Sequence, residues 1–454
     1  MPPFRTRLVV PVSLALLGLL AAGHLAGTAP VPSAAGAPAG ASRARTAPVA
    51  SAPGLPPAAH RPGVAGPAGL APPAASGLPA HRPPHDPVPA PTAGKRPATA
   101  ATPPPPPPGP VASPPPAVRG GPGALLRLLV TRDGAPAAAL LTRDGTTVRY
   151  ADAGRGIARA DHFRAGSVTK TFLATVVLQL AAEHRLSLSD TVEQHLPGLV
   201  RSAHADGRDI TLRALLTHTS GLADFTELTG GRVALTPQQA VRLALRLPSG
   251  RPGRYAYSNT DYVLLGMVVR QVTGHSYAAE VRRRVITPLR LTGTSFPGTR
   301  RSLPPPHGRG YAADGSDVTD LDPRVAGAAG EMVTTLTDLD RFYAALLGGR
   351  LLPPRRLREM LDTRAAHGAY GMGLFPEKLP CGITVWGHNG RIAGSYVRTA
   401  ATVDGRRVLT FRVNTDGVSD PVLERDLLSA GFCPRSWSNG RAPAGDPGPR
   451  HSFE

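Results

Sequence analysis

The chain has 454 residues, enough for two or three ordinary domains, but most of its 52 prolines fall before residue 120, where too few apolar side chains remain to offset the entropy of folding. A net charge of +20 and an isoelectric point near 11.1 invite a nucleic-acid reading. The arginines, however, are scattered through every segment, with no zinc-finger spacing and no aromatic RNA-binding pattern, so nucleic acid is excluded as a partner and the basic surface is matched to an anionic cell envelope.

Arg5 and Arg7 precede an apolar run from Leu8 to Ala22, followed by small residues around Ala26-Gly27-Thr28-Ala29. This is the layout of a secretory signal, expected over residues 1–29, and its apolar run is short for a membrane span. Left uncleaved, it would serve as a membrane anchor. Residues 30–118 read as a Pro/Ala-rich spacer, semi-rigid where prolines run together, as from Pro103 to Pro108. The folded part is expected over residues 119–436, followed by a disordered tail over 437–454.

Within the folded part, Leu125 to Thr131, Ala137 to Thr142 and Thr146 to Ala151 read as strands, separated by the hairpin turns Asp133-Gly134 and Asp144-Gly145. A second hairpin, Ser395 to Val403 and Arg406 to Asn414, turns at Asp404-Gly405. Between these ends the periods are helical: Leu173, Val176, Val177 and Leu180 follow Ser167, and Leu265, Val268, Val269 and Val272 follow Tyr257-Ser258-Asn259. Thr236-Pro237-Gln238-Gln239 reads as a capping box with proline at the first helical position. Strands at both ends with helices between them predict an α/β chain of the α+β type, in which one antiparallel sheet is built from both ends, flanked by helices and joined by a helical subdomain.

The first chemical signal is Ser167-Val168-Thr169-Lys170, whose spacing of three puts a hydroxyl and an amine on one face of a helix. The chain has 51 basic residues but only three lysines, and Lys170 alone has a serine three residues before it. Lysine differs from arginine in that burial lowers its pKa enough for it to act as a base. The second signal is Tyr257-Ser258-Asn259, offering a phenol to relay protons and an amide to orient a substrate. The third is His388-Asn389-Gly390 after the strand-like Gly382 to Gly387, where a substrate backbone could lie alongside, with the N–H of Arg391 as an oxyanion donor. Cys381 and Cys433 are the two cysteines, and in an exported chain they are expected to form a disulfide.

In this order the three signals resemble the serine β-lactamase and penicillin-binding-protein superfamily, whose elements are Ser-x-x-Lys, Tyr-x-Asn and a basic-x-Gly strand motif. The resemblance extends to Phe163-Arg164-Ala165-Gly166-Ser167, to Leu216-Thr217-His218-Thr219-Ser220-Gly221-Leu222 and to Gly330-Glu331-Met332. It is nearest to the secreted soluble D-alanyl-D-alanine carboxypeptidases, which also carry His in the third motif and a Cys-Gly-Ile strand like Cys381-Gly382-Ile383. The resemblance implies Ser167 as nucleophile, Lys170 and Tyr257 as proton-transfer groups, His388 in the catalytic set, and Asn259, Asn389, Gly390 and Arg391 as substrate-binding residues. It implies no metal and no cofactor, a monomer acting on peptidoglycan stem peptides, and acylation by β-lactams. The segment around His218 is implied to be architectural. Two departures stand out: Phe375 lies in the stretch where those carboxypeptidases place a carboxylate-binding arginine, and Arg391 replaces a hydroxyl residue. A class C-type β-lactamase or an esterase on the same scaffold, and more remotely a retired wall-binding protein, are the competing readings.

Overall fold

A computed structural model describes residues 121–417 and 420–434, all within the second of two units into which the chain divides, Pro105–Glu454. The expected signal, spacer and C-terminal tail lie outside the described residues, which include every candidate site residue. The strands are β1 Ala137–Asp144, β2 Thr147–Gly154, β3 Phe163–Arg164, β4 Val333–Thr334, β5 Phe375–Lys378, β6 Thr384–Ile392, β7 Ser395–Ala401 and β8 Arg407–Val413. The helices are α1 Pro122–Thr131, α2 Thr169–Ala182, α3 Val192–His195, α4 Leu212–Leu216, α5 Thr226–Thr229, α6 Pro237–Ala244, α7 Asn259–Thr273, α8 Tyr277–Val281, α9 Thr287–Leu289, α10 Leu336–Leu347, α11 Pro354–Met360 and α12 Pro421–Phe432.

Six strands form one antiparallel sheet in the order β2-β1-β8-β7-β6-β5, so strands from the two ends of the folded part meet where β1 pairs with β8. The hairpins expected at Asp144-Gly145 and Asp404-Gly405 are present, the one expected at Asp133-Gly134 is not, and α6 begins with the expected capping box. One expectation is corrected: Leu125 to Thr131 belongs to helix α1. Pro122 starts it at a position where the missing N–H costs nothing, and Leu125, Leu126 and Leu129 then fall on one buried helical face. The expected strand after Cys381 also begins later, at Thr384, and runs on through the His388 motif.

Strand alternation divides the interior in two. Ala138 and Leu140 of β1, with Leu409, Phe411 and Val413 of β8, pack against α1 and α12. Ala139 and Leu141, with Val397 and Ala401 of β7, face the other core, which holds α2, α7 and α10. Cys381 and Cys433 are bonded, with Cα atoms 5.9 Å apart, and tie the β5–β6 turn to the end of α12. Among the described residues no helix is long and apolar enough to cross a membrane.

Candidate active site

Ser167 sits in a single 3-10 turn, Gly166–Val168, that leads directly into α2. The backbone turns sharply there: Gly166 has φ +51°, and a Cβ on it would lie 2.9 Å from the Arg391 nitrogen. From the opposite side, a Cβ on Gly390 would lie 1.9 Å from the Ala165 oxygen and 3.2 Å from the Ser167 nitrogen. Both positions therefore require glycine, and their bare backbones bring the amides of Ser167 and Arg391 together.

One turn along, Lys170 is 0 % exposed. Its Nζ donates to Ser167 Oγ at 3.1 Å, Asn259 Oδ1 at 2.8 Å and the Ala329 carbonyl at 2.7 Å. None of these acceptors is a carboxylate. Burial lowers the Lys170 pKa to about 7, and the carboxyl groups of Asp224 and Asp261, to the extent that they are ionised, offset only part of that effect. The amine therefore exchanges its proton near neutral pH.

Tyr257 lies in the loop before α7, 36 % exposed as a residue, with Lys170 Nζ 4.9 Å from the ring centroid. Its phenol interacts with Ser167, yet enclosure of the hydroxyl pushes its pKa well up, so it remains a neutral O–H donor. Asn259, the first residue of α7, uses both ends of its amide internally: Oδ1 accepts from Lys170, and Nδ2 donates to Asp224 Oδ2 at 2.8 Å. It positions the Lys170 amine.

His388 is 1 % exposed on β6. Its Nδ1 lies 2.5 Å from the Asn389 carbonyl and must carry the proton, so Nε2 accepts from the Tyr370 hydroxyl at 2.8 Å. Burial, then the charge of Lys170, lowers its pKa to about 3, so the imidazole is neutral with both nitrogens engaged. Strand β5 covers only Thr384–Gly387 of β6, and His388 to Ile392 pair with β7 alone. Alternation puts His388 and Gly390 toward Lys170, while Asn389 and Arg391 stand opposite Arg398 and Tyr396 on the α12 face. The Arg391 guanidinium lies 5.5 Å from the Tyr396 ring centroid.

The structure thus brings Ser167, Lys170, Tyr257, Asn259, His388, Gly390 and the Arg391 backbone to one place, and turns the side chains of Asn389 and Arg391 to the other face. Asp224, the Ala329 carbonyl and Tyr370 were not singled out from sequence. Asp224 shortly follows the Ser220-Gly221-Leu222 segment, which was a usable signal; a backbone carbonyl has none.

A family model described as Beta-lactamase matches residues 124–430. The chain belongs to the beta-lactamase family. Penicillin-binding protein 4 of Amycolatopsis lactamdurans is 29% identical over 337 residues, which cover 68% of this chain and 85% of that protein. A Bacillus subtilis protein named as penicillin-binding protein PbpX is 31% identical over 217 residues, 47% of this chain, and the match spans 53% of that relative's length. Among solved structures, a D-stereospecific amidohydrolase from Streptomyces sp. superposes with a TM-score of 0.64 at 40% identity, covering 68% of this chain and 98% of that one. A D-amino acid amidase from Ochrobactrum anthropi SV3, complexed with L-phenylalanine amide, gives 0.61 at 27% identity, covering 68% and 96%. As a member of this beta-lactamase family with hydrolase neighbours, the chain has the fold expected from its three motifs. Among the described residues there is no group of three or more His, Cys, Asp or Glu able to hold a metal ion.

Proposed function

We propose that this protein is an exported serine hydrolase that forms an acyl-enzyme on the carbonyl carbon of a D-amino-acid residue and cleaves the amide bond that follows it. The observation that carries the reading is Lys170, wholly buried, 3.1 Å from Ser167 Oγ and held by neutral acceptors alone.

In this reading Ser167 Oγ attacks the substrate carbonyl carbon as its proton passes to neutral Lys170. The carbonyl electron pair moves to oxygen, held by the N–H groups of Ser167 and Arg391. The C–N bond then breaks, the leaving nitrogen takes a proton from the Tyr257 phenol, and the Lys170 ammonium returns one to the tyrosinate. Water adds to the ester carbonyl, giving a proton to Lys170, and expulsion of Ser167 Oγ with return of that proton releases the acid. His388, with both nitrogens engaged, holds β6 in place beside Tyr370.

Two observations bear on the substrate. By the resemblance drawn from sequence, the stretch Leu374 to Lys378 lacks the arginine that the carboxypeptidases carry there, and the Streptomyces neighbour at 40% identity is named as a D-stereospecific amidohydrolase. Both favour D-aminoacyl amides and peptides whose recognition does not depend on a free terminal carboxylate. D-Ala-D-Ala carboxypeptidase or transpeptidase activity on stem peptides is the second reading, supported by the relatives named as penicillin-binding proteins. The test is to incubate the full chain with a labelled penicillin and, separately, with matched D- and L-aminoacyl amides and D-Ala-D-Ala peptides. Slow-releasing penicillin label with faster D-amide hydrolysis is expected. Rapid turnover of penicillin would favour a β-lactamase, and indifference to the configuration of the amide would overturn D-specificity.

A further inference from the structure

His218 and Asp261 are both completely buried, yet neither takes a direct part in the chemistry described above. His218 grips the tyrosine loop at three successive residues. Its carbonyl accepts from Ala256 N at 2.9 Å, its ring lies 4.3 Å from the Tyr257 ring, and its Nδ1 accepts from Ser258 N at 3.3 Å. The same Nδ1 lies 2.9 Å from Asp261 Oδ2, while Asp261 Oδ1 accepts from Ser220 Oγ at 2.5 Å.

These contacts restrict where the proton sits. A nitrogen that accepts the Ser258 N–H must present its lone pair, so Nδ1 has no hydrogen to give to Asp261. Two lone pairs facing each other at 2.9 Å would repel, so the shorter contact is a bond only if Asp261 Oδ2 carries the proton, and the single Nδ1 lone pair is then shared between the Asp261 O–H at 2.9 Å and the Ser258 N–H at 3.3 Å as a three-centre bond. We infer that Asp261 is a neutral carboxylic acid that donates to His218 Nδ1, and that the pair is an uncharged positioning element for Tyr257. The His218 hydrogen is then on Nε2, which finds no hydrogen-bond partner and is surrounded by the rings of Tyr257, Tyr262 and Tyr370.

The electrostatic surroundings agree. Lys170 faces the pair from α2, Asp224 from the loop before α5, Tyr257 from its loop, Tyr262 from α7, Tyr370 from the loop before β5 and His388 from β6. Burial pushes the Asp261 carboxyl up and the His218 imidazole down, with Lys170 also disfavouring a charged imidazole. A neutral Asp261 removes one of the two carboxylate charges that would raise the Lys170 pKa and leaves that of Asp224.

The inference rests on Tyr257 acting as the proton donor of the proposed function, but its tests separate the two. In the full chain labelled with ¹⁵N-histidine, His218 is expected to carry its hydrogen on Nε2, the opposite tautomer to His388; a hydrogen on His218 Nδ1 would overturn the assignment without any variant. Asp261→Asn reproduces both bonds, its amide donating to Nδ1 and its carbonyl accepting from Ser220. Its acylation rate is expected within about threefold of the parent, with the acid limb of the pH profile unmoved, whereas Asp261→Ala should lower kcat ten- to hundred-fold with little change in KM. A downward move of the acid limb in Asp261→Asn would show that a carboxylate charge had been removed and would refute neutrality. Full acylation by Tyr257→Phe would instead overturn the donor role of Tyr257 while leaving the tautomer result standing.

Discussion

Lys170 and Arg398 are both 0 % exposed cations, and their surroundings differ in kind. Arg398, on β7, is 3.1 Å from Glu377 of β5 and 3.3 Å from Glu424 of α12, donates to the Thr399 carbonyl at 2.6 Å, and lies 4.5 Å from the Phe375 ring centroid. Lys170 has neutral hydrogen-bond acceptors only. A buried cation with carboxylate partners is a permanent charge that braces structure, while one denied them is held at the edge of losing its proton. The residue types match: guanidinium for the brace, amine for the base.

The sharpest way to break this comparison is to exchange the types. Lys170→Arg keeps a positive charge but removes a group able to accept a proton, and the acylation rate should fall about 10²- to 10⁴-fold, the usual worth of a general base. Penicillin labelling kinetics would measure it, with Ser167→Ala as the unlabelled limit; normal labelling by Lys170→Arg would remove lysine from the base role.

On the brace side, the disulfide joins the β5–β6 turn to the end of α12, flanking the two elements that supply Glu377 and Glu424. A sequence separation of 52 corresponds to about 4 kcal/mol in the chain-entropy model. Cys433→Ser should therefore lower the denaturation midpoint substantially while sparing the initial acylation rate at low temperature. Arg398→Met should cost about 3 kcal/mol, the lower end for a broken buried pair because both carboxylates retain some solvent contact. Urea titrations measure both, and a large acylation defect in a folded Arg398→Met would mean that the brace also serves the chemistry.

The contrast also sets a pH dependence. Lys170 must be neutral to accept the serine proton, and its pKa lies at about 7, so acylation should fall roughly tenfold per unit as pH drops below 7 and level off above it. A rate independent of pH from 5 to 8 would contradict the lowered lysine.

The smallest effect is expected at Arg391. Its guanidinium lies on the α12 face over Tyr396, and in the proposed mechanism its contribution to the site is the backbone amide. Arg391→Ala should change turnover by less than about threefold, equally for substrates with and without a free terminal carboxylate. Selective loss of carboxylate-ended substrates would show that the side chain reaches the cleft.

The parts readable along the chain were those whose geometry is local. Ser167 and Lys170 share a helical face because they are three residues apart, and Asp144-Gly145 and Asp404-Gly405 announced their hairpins because few other residues accept the positive φ required, whereas Asp133-Gly134 follows a helix. Local pattern failed at Leu125 to Thr131, where a short leucine-rich run suits strand or helix equally and the choice fell to Pro122 and to packing against α12. What gives Lys170 its neutral surroundings was not local at all: its acceptors Asn259 and Ala329 lie 89 and 159 residues away in sequence. Nor could the chain alone say which face Arg391 takes, or where the protons of His218 and His388 sit. Spacing determines which groups can be neighbours; desolvation, and the partners that folding brings or withholds, decide their charge.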